Sequence, residues 1–209
     1  MDQATQSEAI IRLQLAQSIA TMQAVLADRT LHDTLARAAE ATAHSLRAGG
    51  KLLVAGNGGS AADAQHLVAE FVVRLAVNRP ALRAIALTTD SSILTAAGND
   101  FGFDTIFARQ IEALGAPGDI FLGISTSGNS PNILAALDTA RARGLTTFGL
   151  SGGNGGRMPP LCDHSIVIPS TVTMNIQESH LALEHIFCMV VERFTFGPDF
   201  DKQPQILSE

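Results

Sequence analysis

The chain has 209 residues, 46% of them hydrophobic and 16% charged, with a formal net charge of −6. A chain of this length can bury a core of its own, and this composition excludes a disordered protein. An acidic chain without a Lys/Arg cluster does not grip a nucleic-acid backbone by charge, and the absence of Trp and Tyr disfavours recognition by stacked aromatics.

The spacing of Ile11, Leu15, Met22 and Leu26 predicts an amphipathic helix over 7–28. Asp2, Glu8 and Arg12 leave no signal-peptide core there, and no uninterrupted apolar run in the chain reaches the ~18 residues of a membrane span. A second helix is predicted over 31–47, stopped by Gly49-Gly50. Together they form an N-terminal helical extension of about 1–48, facing either the core or a neighbouring subunit. From residue 51 short apolar runs follow at 51–55, 84–87, 120–124, 147–150 and 164–168. Helical stretches at 60–76, 91–97, 104–114 and 131–143 lie between them, and one at 175–194 follows the last. That alternation predicts βαβ units, hence an α/β fold: a three-layer αβα sandwich around a five-stranded parallel sheet. Residues 1–196 are expected to form one domain, and 197–209, with Pro198 and Pro204, a loose tail. Cys162 and Cys188 are too few for a disulfide framework, which fits a soluble cytoplasmic protein.

In such sheets ligands bind beyond the carboxyl ends of the strands. Two loops stand out there. Gly56-Asn57-Gly58-Gly59-Ser60 follows the first strand, with glycines that permit tight turns and a serine at a helix start. A dinucleotide site would also fit the glycines, but it needs an acidic residue ~20 positions on, and Asp90 lies too far along. Ser125-Thr126-Ser127-Gly128-Asn129-Ser130 follows the third strand, with Pro131 at the start of the next helix. So many hydroxyl and amide donors at a helix N-terminus exceed what a cap requires and suit a phosphate monoester. No Walker A motif is present, so nucleotide hydrolysis loses its main support.

His66 and Glu70, four apart, share one helix face and can share a divalent metal or act as an acid–base pair. The last helix places Gln177, Glu178, His180, Glu184 and His185 among apolar residues. The spacing does not choose between His180 and His185.

These motifs, in order, resemble the phosphoheptose isomerases. They are the Gly-Asn-Gly-Gly-Ser loop with Asp63, His66 and Glu70, then Asn78-Arg79-Pro80, Gly98-Asn99-Asp100-Phe101-Gly102, Ser125–Ser130 and Ile176-Gln177-Glu178-x-His180. The likeness covers about 5–194. It implies the flavodoxin-like sugar-isomerase (SIS) fold and interconversion of sedoheptulose 7-phosphate and D-glycero-D-manno-heptose 7-phosphate. This is the first step toward bacterial nucleotide-heptose precursors. It further implies a homotetramer with active sites shared between subunits, and one zinc ion per subunit on His66, Glu70, Gln177 and His185. Phosphate contacts fall on Ser60, Ser125, Thr126, Ser127 and Ser130, and sugar contacts on Asn57, Gly58, Gly59, Asn99 and Asp100. Glu70 is expected to carry the proton, with His185 as its acid–base partner. One departure stands out: the family commonly has an arginine before the Ile-Gln pair and an acidic residue a little earlier, where this chain has Asn175 and, further back, Val172. Two alternatives follow, an isomerase of another phosphosugar or a non-catalytic relative that associates with the replication initiator DnaA. The second lacks the equivalents of Glu70 and His185.

Overall fold

A computed structural model describes residues 3–197 and 200. Two helices come first, α1 (Gln3–Ala27) and α2 (Arg29–Arg47), split by Asp28, whose carboxylate accepts from the Leu31 amide and caps α2. Strands β1 (Leu52–Ala55), β2 (Ala84–Ala86), β3 (Ile120–Ile124), β4 (Thr146–Gly152) and β5 (His164–Ile168) then alternate with α3 (Gly59–Val72), α4 (Ser91–Phe101), α5 (Ala108–Leu114), α6 (Pro131–Ala142) and the final α7 (Thr173–Phe196). All five strands are parallel in the order β2-β1-β3-β4-β5. The expected three-layer arrangement is therefore present.

Both faces of the sheet are covered, which is why its strands read as continuous apolar runs. Successive side chains point opposite ways. Leu52, Val54, Leu122 and Ile124 pack under α2, α3 and α7, against Leu35, Leu67, Phe71 and Phe187. Leu53, Ala55 and Phe121 face the other layer, against Ile111, Ile133 and Leu137.

Several boundaries differ from expectation. Helix α4 runs through Gly98 to Phe101 and ends where Gly102 takes φ +90. The stretch expected as one helix over 104–114 is a 3₁₀ turn, Phe103–Thr105, followed by α5; the break between them turns Ile106 and Phe107 into the core. Helix α3 stops at Val72, four residues early. Of the N-terminal pair α2 contributes most to the core, burying Leu31, Leu35, Ala38 and Ala39, while α1 adds Val25 near its end. Helix α1 leaves Ile11, Leu15, Ile19, Met22 and Leu26 exposed, Leu26 by 75%. At about 100° per residue these five fall within an arc of about 80°. Its segment Thr5–Ala27, at mean hydropathy 1.2, is long and apolar enough by length and composition to cross a membrane, although Glu8 and Arg12 interrupt it. The tail expected at 197–209 lies outside the described residues, except for Gly197 and for Phe200, which stacks on Phe196.

Candidate active site

Strand order reverses between β1, whose chain returns through β2, and β3, whose chain continues to β4 and β5. Loops leaving adjacent strands diverge at such a point and open a crevice. Ala55 pairs with Gly123, so the two polar loops leave the sheet side by side. A reciprocal amide pair ties them together: Asn57 Nδ2 donates to Asn132 Oδ1 at 2.9 Å and Asn132 Nδ2 to Asn57 Oδ1 at 2.8 Å. Nothing in the sequence singled out Asn132. Its only signal is an amide in the first turn of a helix that continues Ile133-Leu134.

In the second loop, the Ser125 and Ser130 hydroxyls meet at 2.9 Å, and Ser127 Oγ accepts from the Asn129 amide at 3.2 Å. Ser130 is the N-cap residue of α6, and its side chain makes no cap hydrogen bond. Pro131 has no N–H, and the Ile133 and Leu134 amides donate to the Ser130 carbonyl at 3.0 Å, which leaves the Asn132 amide as the first-turn donor. Gly58 opens α3 with φ +56 and likewise supplies no side-chain cap. Ser60 is buried in the first turn of α3. A cavity of about 800 Å³ borders Thr126 and Ser127 on the β4–β5 side, between Asn154 and Thr173.

Helices α3 and α7 run alongside each other behind the first loop. His66 on α3 faces His185 on α7, their Nε2 atoms 2.7 Å apart and their rings nearly perpendicular at 77°. Glu70 Oε1 lies 3.5 Å from His66 Nε2. One ligating atom from each of the three falls within 4.8 Å of the others. Two imidazole nitrogens and a carboxylate oxygen form a donor set that suits zinc. A tetrahedral zinc would hold two nitrogens about 3.3 Å apart, so a small parting of the rings accommodates it.

Gln177, expected as a fourth donor, sits at the top of α3. A Cβ on Gly59 would fall 2.4 Å from Gln177 Nε2, so only glycine lets that amide lie there. Asn99 and Asp100, expected sugar contacts, lie exposed near the end of α4, with Asn99 Nδ2 donating to Asp100 at 2.8 Å. No hydrogen bond among the described residues joins them to the loops or to the histidines.

The structure also separates the two candidate histidines of α7. His180 is fully buried, and its Nε2–H donates to the Ser151 carbonyl at 3.0 Å, leaving Nδ1 without a partner. Burial pushes its pKa down to about 4, against the opposing pull of that hydrogen bond. Glu184 is buried beside it on α7, with neither oxygen hydrogen-bonded, and burial and then the nearby Asp63 push its pKa up to about 8. Asp63 Oδ2 is likewise unpartnered; burial raises its pKa and the nearby His66 partly offsets this. The interface between α3 and α7 therefore holds a layer of unsatisfied polar atoms beside the His66–His185 pair. Sequence spacing gave no sign of this layer, because it comes from two helices meeting.

Comparison with known proteins bears on the fold and the family. The SIS domain family model matches residues 15–152. A phosphoheptose isomerase of Burkholderia pseudomallei is 54% identical over 183 residues, covering 88% of this chain and 93% of the relative. The chain belongs to the phosphoheptose isomerase family of SIS-domain proteins. Solved structures of phosphoheptose isomerases from Neisseria gonorrhoeae (GmhA; 40% identity, TM-score 0.83) and Francisella tularensis (38% identity, TM-score 0.85) superpose on it. They cover 88% and 90% of this chain, which spans 98% of each. As a phosphoheptose isomerase family member, the chain is an isomerase.

Proposed function

We propose that the chain interconverts sedoheptulose 7-phosphate and D-glycero-D-manno-heptose 7-phosphate in the cytoplasm, at the start of nucleotide-heptose precursor synthesis. The observation that carries this reading is the meeting of His66, Glu70 and His185 on two helices beside hydroxyl-rich loops.

Aldose–ketose isomerisation moves a proton between C1 and C2 through an enediol. Ser60, Ser125, Thr126, Ser127 and Ser130, at the N-termini of α3 and α6, anchor the phosphate at the far end of the open-chain sugar. Neutral donors and two helix dipoles suffice for this without a lysine. Anchoring one end turns binding energy into positioning at the other. Asn57, Gly58 and Gly59 then contact the sugar hydroxyls. Glu70 takes the proton from one carbon and returns it to the next, and His185 serves as its acid–base partner, including in ring opening. A zinc ion held by His66, Glu70 and His185, with Gln177 as fourth donor, would supply a Lewis acid for the developing oxyanion. Engaged by that ion, the Glu70 carboxylate would be a weaker base than when free of it.

The exposed stripe of α1 supports assembly into a tetramer, since five large apolar side chains on one helix face call for a partner surface. Asn99 and Asp100, which make no hydrogen bond to the loops of their own subunit, then serve a neighbour's site.

A coupled assay with sedoheptulose 7-phosphate on chelated and zinc-restored protein tests the proposal. Turnover should vanish on chelation and return with zinc. Full activity after complete metal removal rejects the zinc role. No conversion with zinc present rejects the substrate and favours another phosphosugar, and failure to turn over any phosphosugar favours the non-catalytic alternative.

A further inference from the structure

Between α3 and β2 the chain crosses back over the end of α3, and in that crossing Arg79 is buried, with only 1% of its side chain exposed. Its Nε–H donates to Glu192 Oε1 on α7 at 2.6 Å. Its Nη2 donates to the Glu70 carbonyl at 2.6 Å, and its Nη1 to the carbonyls of Phe71 at 2.7 Å and Pro80 at 3.2 Å.

Terminal carbonyls of a helix need donors, and an arginine often supplies them. Capping alone does not require burial, however, and a buried ion pair is weak evidence for stability, because desolvation consumes most of its attraction. What the planar fork provides is fixed geometry. Here it joins the backbone of Glu70 to α7 at Glu192, seven positions and so about two turns beyond His185. Deeper in the same interface Phe71 stacks on Phe187, centroids 5.9 Å apart. No covalent link near the site holds α3 to α7, yet His66 and His185 must stay in register across that gap.

We propose that Arg79 is a positioning residue for the His66–Glu70–His185 group. It clamps the end of α3 to α7 and thereby sets the separation of the two imidazoles. This rests on the reading of that group as the zinc-binding centre.

The test compares zinc affinity, by competition with a chromophoric chelator, in the full-length wild type, an Arg79→Lys variant and an Arg79→Met/Glu192→Leu double variant. The double variant removes the clamp without leaving a buried charge unpaired, and Lys keeps the charge but cannot reach Glu192 and the Glu70 and Phe71 carbonyls at once. Supporting groups around metal ligands typically change affinity by about 10–100-fold, and a weakening in that range is expected for both variants, with metal-free melting temperatures showing that each is folded. Rescue by Lys, or unchanged zinc affinity in either folded variant, overturns the clamp. If the wild type itself binds no zinc, or binds it undiminished after His66→Ala, the zinc reading fails instead. Crystal structures of wild type and variant then decide the clamp: a His66–His185 separation that differs supports it, and an unaltered one overturns it.

Discussion

The loops at the β1–β3 crevice and the α3–α7 interface behind them are built on opposite terms. In the loops the polar groups are neutral and bond to one another, Asn57 with Asn132 and Ser125 with Ser130. Their shape exists before any ligand arrives. Between the helices the groups are ionisable, and Asp63, His180 and Glu184 each keep a buried atom without a partner. An unsatisfied buried polar atom costs about 1–3 kcal/mol, so this layer is held in place by its surroundings rather than by its own bonds. The contrast is one of construction: the loops satisfy their own polar groups, whereas the helix layer keeps buried ionisable groups that its neighbours leave unpaired.

The largest effect expected from this contrast is at Glu70. Glu70→Gln keeps the volume and removes the base, so kcat should fall by about 10²–10⁴-fold, the usual range for a lost general base. Inhibition by inorganic phosphate, which reads the loops alone, should stay within about threefold. Steady-state kinetics with phosphate as inhibitor checks both at once. Near-normal turnover would remove Glu70 from the chemistry and dissolve the contrast.

Next in size is the acid response of the helix layer. His180 has its pKa pushed down to about 4 from an ordinary value of 6.5. The unfolded chain gains a proton as pH falls through 6.5, while the folded chain refuses it until about 4. Stability is therefore full above the upper value and is lost between the two. From pH 7 to pH 5 the loss from this residue should be about 2 kcal/mol. Glu184, its pKa pushed up to about 8, works in the opposite direction over this range, so the test is a difference. His180→Gln keeps a donor for the Ser151 carbonyl and cannot titrate, and between pH 7 and pH 5 the wild type should lose about 2 kcal/mol more than the variant. Urea unfolding at the two pH values measures this, and the same pH dependence in both proteins would assign the acid response elsewhere.

Which parts were legible in the sequence follows the same line. The sheet was readable because strands buried on both faces leave short apolar runs, as at 51–55 and 120–124. The cradle was readable because glycines and hydroxyls crowd loops of known position. His66 and Glu70 were visible as a pair because helical spacing is local. Their meeting with His185 rather than His180 could be read only through the family resemblance, since both lie on one helix, five residues apart, and the packing of α7 decides that His180 turns to β4 and His185 to α3. The exposed face of α1 was unreadable for a related reason. Periodicity announces an apolar stripe but not what it packs against.

The loops offer the finer tests. Asn132→Leu leaves the Asn57 amide without its partner, and a cost of about 1–2 kcal/mol in urea unfolding is expected, with a several-fold rise in KM as the two loops lose their tie. An unchanged KM would mean that the crevice keeps its shape without the amide pair. Ser127→Ala should have the smallest effect on the fold. Its hydroxyl is exposed and serves only the Asn129 amide within the chain, so stability should shift by no more than about 0.5 kcal/mol. If Ser127 faces the phosphate, inhibition by inorganic phosphate should nonetheless weaken by about three- to tenfold, the worth of one hydrogen bond. Loss of affinity without loss of stability marks a group placed for a ligand. Loss of stability alone would mark Ser127 as an ordinary turn residue and move the phosphate toward Ser125 and Ser130.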